Sequence, residues 1–202
     1  YTTAPITFTA RVRVLSTAQG GVDYLAMPYP TTNPLGLVRA SLQPNGTVKV
    51  GIVTNAAPLT YEEHTTSLAA PLDEWADVSV THAGDTATVS INGEDETLTF
   101  AFTRTTEYEA VYRLGYTHDA RRFTIANGAN PIHILNPAQA SDDYATIPNT
   151  GSAGGDWLIS RAASGFKTAV VDRPLLLFGD AHRADIDVTT MPTFTQSSLV
   201  LA

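Results

Sequence analysis

The chain has 202 residues, 43% of them hydrophobic and 16% charged, with a net charge of -8 and no cysteine. That apolar content argues against wholesale disorder and allows one large domain or two small ones. The acidic balance argues against a binder of nucleic-acid phosphates. Absent thiols exclude disulfide scaffolds, thiolate metal sites and cysteine nucleophiles, and no apolar run reaches the length of a membrane-spanning helix.

Ile6 to Val14 alternates, with Phe8, Ala10, Val12 and Val14 on one face and Arg11 and Arg13 on the other. This is the pattern of a half-buried strand. A turn at Ala18 to Gly21 leads to a short strand over Asp23 to Met27, closed by Pro28 and Pro30, with a loop to Pro34. Gly36 to Leu42 is a third strand. The Asn45-Gly46 pair supplies the positive φ angles of a tight hairpin, and Val48, Val50 and Ile52 return from it. Thr60 to Leu72 is polar and ambiguous, with room for a strand over His64 to Leu68.

Trp75 to His82, Thr86 to Ile91, and a strand carrying Leu98, Phe100 and Phe102 form a meander. Its turns fall at Ala83-Gly84-Asp85 and Asn92-Gly93-Glu94. Short strands follow at Val111 to Gly115, Arg122 to Ala126 and Ile132 to Leu135. Residues 136–155 are rich in Pro, Ser, Asp, Gly and Thr and read as a linker or long loop. Beyond it lie strands at Asp156 to Ser160, Thr168 to Val171, Leu175 to Phe178, Ala184 to Val188 and Phe194 to Leu201. The run Leu175-Leu176-Leu177-Phe178 reads as buried on both faces. No segment keeps a 3.6-residue period, so the expectation is an all-β sandwich or barrel with few or no helices. The chain begins at Tyr1 inside a β-rich pattern and is expected to be a piece of something longer.

The hairpin from Trp75 through Gly84-Asp85 to Asn92-Gly93 resembles the central hairpin of laminin-G-like, concanavalin-A-like jelly rolls. In such a hairpin the Trp fills the end of the core and Asn-Gly closes the turn. Leu175 to Val188 looks like the opening strand pair of the same family. Pro192 to Leu201 and Pro5 to Val14 both resemble its next strand. The resemblance implies an antiparallel jelly-roll sandwich. Residues 1–135 would form one module, 136–155 a connector, and 156–202 strands that open a second module or complete the first. Gly165 to Leu175 is similar to segments in minor tail proteins of actinobacterial tailed phages. This implies a non-enzymatic minor tail or tail-tip component located on the virion. Its expected partners are other tail proteins, further copies of itself and a host-surface glycan, with no nucleic acid and no membrane insertion. The alternative is a carbohydrate-binding module of a secreted or cell-surface bacterial protein. A third reading is a glycan hydrolase or lyase on the same sandwich.

Glycoside hydrolysis with retention needs two carboxylates about 5 Å apart. Glu94-Asp95-Glu96 is a tight acid cluster, read as a solvated turn, and Glu62-Glu63 is another. The five histidines (His64, His82, His118, His133 and His182) show no metal-ligand spacing and read as surface or hydrogen-bonded groups. His118-Asp119 with Arg121-Arg122 is a mixed cluster, as is His182 with Asp180 and Asp185. Gly151-Ser152-Ala153-Gly154-Gly155 lacks the ending of a phosphate loop. Calcium is the one cofactor the laminin-G resemblance admits. Its candidate ligands are Asp185 and Asp187, then Asp180 and Asp142-Asp143. The plain reading of these acids is solubility charge on an exposed strand face, and the expectation is no cofactor. Aromatic side chains stack on sugar rings, and Tyr29 and Tyr61 are the leading ligand-binding candidates.

Overall fold

The computed structural model describes residues 5–16, 23–30, 35–104, 110–115, 119–135, 146–154, 156–162, 166–169, 175–178 and 196–201. The expectation of an all-β, antiparallel sandwich holds, and the described residues contain no helix. One sheet holds β1 (Ile6–Arg13), β6 (Trp75–Ala83), β7 (Thr86–Ile91), β8 (Glu94–Thr99), β10 (Asp119–Asn127), β11 (Asn130–Leu135), β14 (Phe166–Ala169) and β15 (Leu175–Phe178). Its order is β14-β15-β10-β1-β6-β7-β8, with β11 also on β10. The other sheet holds β2 (Asp23–Pro30), β3 (Val38–Leu42), β4 (Thr47–Ala56), β5 (Leu59–Ala69), β9 (Ala110–Gly115), β12 (Thr146–Pro148), β13 (Asp156–Ala162) and β16 (Gln196–Leu201). Its order is β12-β13-β16-β9-β2-β3-β4-β5. We call the two sheets the β1 sheet and the β2 sheet.

Strand alternation builds the core. Phe8, Ala10 and Val12 of β1, Val78 and Val80 of β6, and Ala87, Val89 and Ile91 of β7 point inward from the β1 sheet. Val38, Ala40 and Leu42 of β3 and Val48, Val50 and Ile52 of β4 meet them from the other side. Burying each large apolar side chain stabilises by about 1.5–3 kcal/mol. The turns follow from the residues that occupy them. Gly46 has φ +84°, and its amide donates to the Gln43 carbonyl at 2.9 Å.

Several elements differ from the sequence reading. Strand β2 runs through Pro28 and Pro30 instead of closing before them. Both prolines lie beyond Ala26, where pairing with β3 stops and only β9 is laddered. Being two residues apart, they withhold donors from one side of the strand only. Strand β5 is longer than expected, because an edge strand needs no strict apolar alternation. Glu94 and Glu96 lie in β8 and not in a turn. Asn92 (φ 53°) and Gly93 (φ 89°) complete a two-residue turn on their own, so the strand resumes at once. Phe100 and Phe102 fall beyond β8, though Phe100 is buried. Strand β14 covers residues 166–169, two earlier than read. The expected strand at Ala184 to Val188 lies outside the described residues, as do the side chains of Leu175 to Phe178. Within the expected connector, residues 146–154 carry β12 and a turn that packs on β11. Farther on, β15 pairs with β10, and β16 pairs with β9 and β13.

One edge of the sandwich is closed by two carboxylates. A bulge in β5 turns the Ser67 and Leu68 amides away from β4, where Thr66 Oγ1 accepts from Val48 N–H in place of a ladder bond. Ser67 and Leu68 N–H donate to Glu96 of β8, at 2.9 and 2.8 Å to Oε2. The Ser67 hydroxyl adds a bond at 2.9 Å. In return, Glu62 of β5 accepts from the Ala101 and Phe102 amides at 2.7 and 3.1 Å. The exposed edges β5 and β8 are thereby tied to each other.

Candidate functional site

The outward residues of the β1 sheet are mostly hydroxyls. Antiparallel register sets Thr124, Thr9, Ser79 and Ser90 side by side across β10, β1, β6 and β7. A second row holds Thr7, Thr81 and Thr88, with the Thr7 and Thr81 hydroxyls 3.0 Å apart. Arg11 faces Asp77 in the next row, where their side chains pair at 3.4 Å in largely exposed positions. Such a pair contributes little to stability.

At this point β10 carries a bulge. The register steps from Ala10↔Phe123 to Arg11↔Arg121, so Arg122 is the extra residue. Its φ is +21°, outside the comfortable range of a long side chain. Bulges re-aim side chains, and here Arg122 is exposed and lines a groove of about 620 Å³ with Thr9, Arg11, Asp77, Ser79 and Ser90. The Arg122 side chain makes no hydrogen bond or ion pair among the described residues. The volume suits a small-molecule or oligosaccharide site. Two guanidiniums against the Asp77 carboxylate leave the groove net positive on an acidic chain.

The residues singled out from the sequence lie elsewhere. Tyr61 belongs to β5 of the β2 sheet, where it packs with Leu37 and Val53 and lies under the Arg39 guanidinium, 3.7 Å from the ring centre. Tyr29 lies in β2 opposite Val111, and its side chain is outside the described residues. Asp142, Asp143, Asp180, Asp185, Asp187, His118 and His182 also lie outside them. Among the described residues no group of three or more His, Asp or Glu is gathered as a metal site. Glu62 and Glu63 point to opposite faces, as neighbours in a strand must. Glu63 pairs with Arg39 and lies 3.9 Å from Lys49, while Glu62 serves the edge clasp and His64. Backbone N–H donors, Leu68 first for Glu96 and Ala101 first for Glu62, hold both carboxyls below the usual range.

His82 departs from the expected surface or hydrogen-bonded histidine. The β6 alternation carries it inward after Ala76, Val78 and Val80, and it is fully buried beside Phe100 with both ring nitrogens unbonded among the described residues. Burial pushes it down to about 4, with Arg104 adding to the effect and Asp85 opposing it, so the ring is neutral. His133 is likewise pushed down to about 4 by burial, and its Nδ1 lies 3.2 Å from the Asn149 amide. His64 is half-buried and bonded to Glu62 at 3.2 Å.

The groove escaped the sequence reading because its rows come from four strands. One local signal was present. With Phe123 and Ile125 inward, alternation would also place Arg121 inward, and a charge at a core position signals a bulge. No protein-family model matches the chain, and no curated protein matches its sequence.

Proposed function

We propose that the protein is a structural, surface-binding β-sandwich module of a tailed-phage virion, a minor tail or tail-tip component. The observation that supports binding is the groove around Arg122 on a sheet face. Sites held on strands are positioned better than sites on loops. The order of the strands supports jelly-roll winding: β1 lies between β6 and β10 in one sheet, and β2 between β3 and β9 in the other. The C-terminal strands, laddered to β9, β10 and β13, support the reading in which they complete one module. The carboxylate of Glu96 is occupied by strand amides, which favours a structural over a catalytic use of that residue.

The same groove also favours a second reading, a carbohydrate-binding module of a secreted bacterial protein. Antibodies against the purified chain distinguish the two in immuno-electron microscopy. Label at the tail of actinobacterial phage particles supports the virion role. Label confined to secreted bacterial protein moves the assignment to the second reading. Sedimentation with host cell envelopes tests binding itself, and a chain that stays in the supernatant sinks both.

A further inference from the structure

Resting on that surface-binding reading, we infer that the groove takes an anionic, hydroxyl-rich chain of the saccharide or polyol-phosphate type, with its carboxylate or phosphate seated on Arg122. The hydroxyl row Thr124–Thr9–Ser79–Ser90 crosses four strands, a span of roughly 14 Å at the usual strand spacing. That length suits an oligosaccharide better than one sugar. Hydroxyl side chains donate and accept, so they match the hydroxyls of a sugar without fixing one identity. Asp77 adds an acceptor, and Arg11 beside it adds a donor fork.

What the groove lacks selects the ligand class. Among the described residues its lining has no aromatic ring to serve as a stacking platform for a neutral sugar. The strongest polar contact the groove offers is the Arg122 guanidinium, which has no partner among the described residues. A planar fork meets a carboxylate or phosphate with two parallel hydrogen bonds. Arg122 is held exposed at a bulge with φ +21°, a conformation Gly or Asn adopts with less strain. A strained cation lining a groove beside a row of hydroxyls is a local cost that anion recognition explains.

Calorimetric titration of the intact chain with trigalacturonate, poly(glycerol phosphate) and neutral maltotriose tests this. The anionic probes should bind and maltotriose should not. Trigalacturonate alone identifies a carboxylate site, and poly(glycerol phosphate) alone a phosphate site. Arg122→Asn tolerates the backbone angle and should weaken binding about tenfold or more. Arg122→Lys should fall between, because it keeps charge and loses the fork. Asp77→Asn should tighten binding a few-fold by freeing Arg11, a gain that a merely structural role would not give. Raising salt from about 0.05 to 0.5 M should weaken every anionic complex. Equal affinity for maltotriose overturns the inference, as does binding unchanged in Arg122→Asn with an unaltered melting temperature. If neither anionic probe binds while the chain still sediments with envelopes, the groove assignment fails and the surface-binding function stands.

Discussion

Removing the Glu96 carboxylate should open the clasped edge of the sandwich. Glu96→Ala strands the Ser67 and Leu68 amides and the Ser67 hydroxyl, which now donate to Oε2 at 2.8–2.9 Å. A hydrogen bond to a charged group contributes about 1.5–3 kcal/mol when buried. Ser67 is exposed, so water replaces part of the loss, whereas the Leu68 contact is partly buried. The expected destabilisation is about 2 kcal/mol in all, or a fall in melting temperature of about 4–8 °C for a chain of this size. Glu96→Gln keeps one acceptor oxygen and should lose about half as much. The effect must depend on pH. The folded carboxyl titrates below its ordinary 4.5, so its contribution is complete above that value. It disappears as pH falls through the lowered folded value. Urea unfolding followed by the fluorescence of Trp75 and Trp157, at pH 7 and in stepwise acid, reads both quantities. A Glu96→Ala midpoint equal to wild type at pH 7 would refute the clasp. So would a difference that persists undiminished after the carboxyl is protonated.

Acid should also act through the buried histidines. His82 and His133 titrate near 4 when folded and at an ordinary 6.5 when unfolded. Above the unfolded value both rings are neutral in either state. Between pH 6.5 and 4 the unfolded ring takes a proton that the folded ring refuses, which destabilises the fold by up to about 3 kcal/mol per group. His82→Leu should remove its share of that slope and, by deleting two unbonded ring nitrogens, raise stability at pH 7 by about 1 kcal/mol. A destabilised variant with an unchanged acid profile would count against the neutral, unbonded imidazole. Asn149→Ala should cost about 2–4 kcal/mol, because its Oδ1 accepts from Ile134 and Gly151 while its Nδ2 donates to Gly154. Hydrogen exchange should quicken at Ile134, and unchanged protection there would contradict that role. Gly46→Ala places a Cβ 2.2 Å from the Ala70 carbonyl oxygen at φ +84°; urea unfolding should show a loss of at least about 2 kcal/mol.

The residues of β1, β4, β6 and β7 announced their strands because each buries one face, so the alternation of Phe8, Ala10 and Val12 or Val48, Val50 and Ile52 survives in sequence. Asn92-Gly93 announced its hairpin because few other pairs tolerate two positive φ angles. The edges were harder. Most residues of β5 are open to solvent on both faces, so Leu59 to Ala69 carries no period. The acidic start of β8 reads as a turn until its partner Thr86 to Ile91 is in place. His82 shows how a polar residue at an inward position escapes a reading by residue type, although its place in the β6 alternation was visible. The Arg122 groove depended on which strands are neighbours. That order is set by packing across the whole chain, and no stretch of sequence encodes it locally.

The Glu62 and Glu96 clasp also bears on how copies of the molecule can meet. One flank has backbone donors turned inward to the opposite layer's acids. On the clasped flank, four backbone amides are thereby withdrawn from any foreign strand. Neighbours in a larger assembly are therefore expected to dock through broad faces and loops more readily than along the clasped segment of this rim.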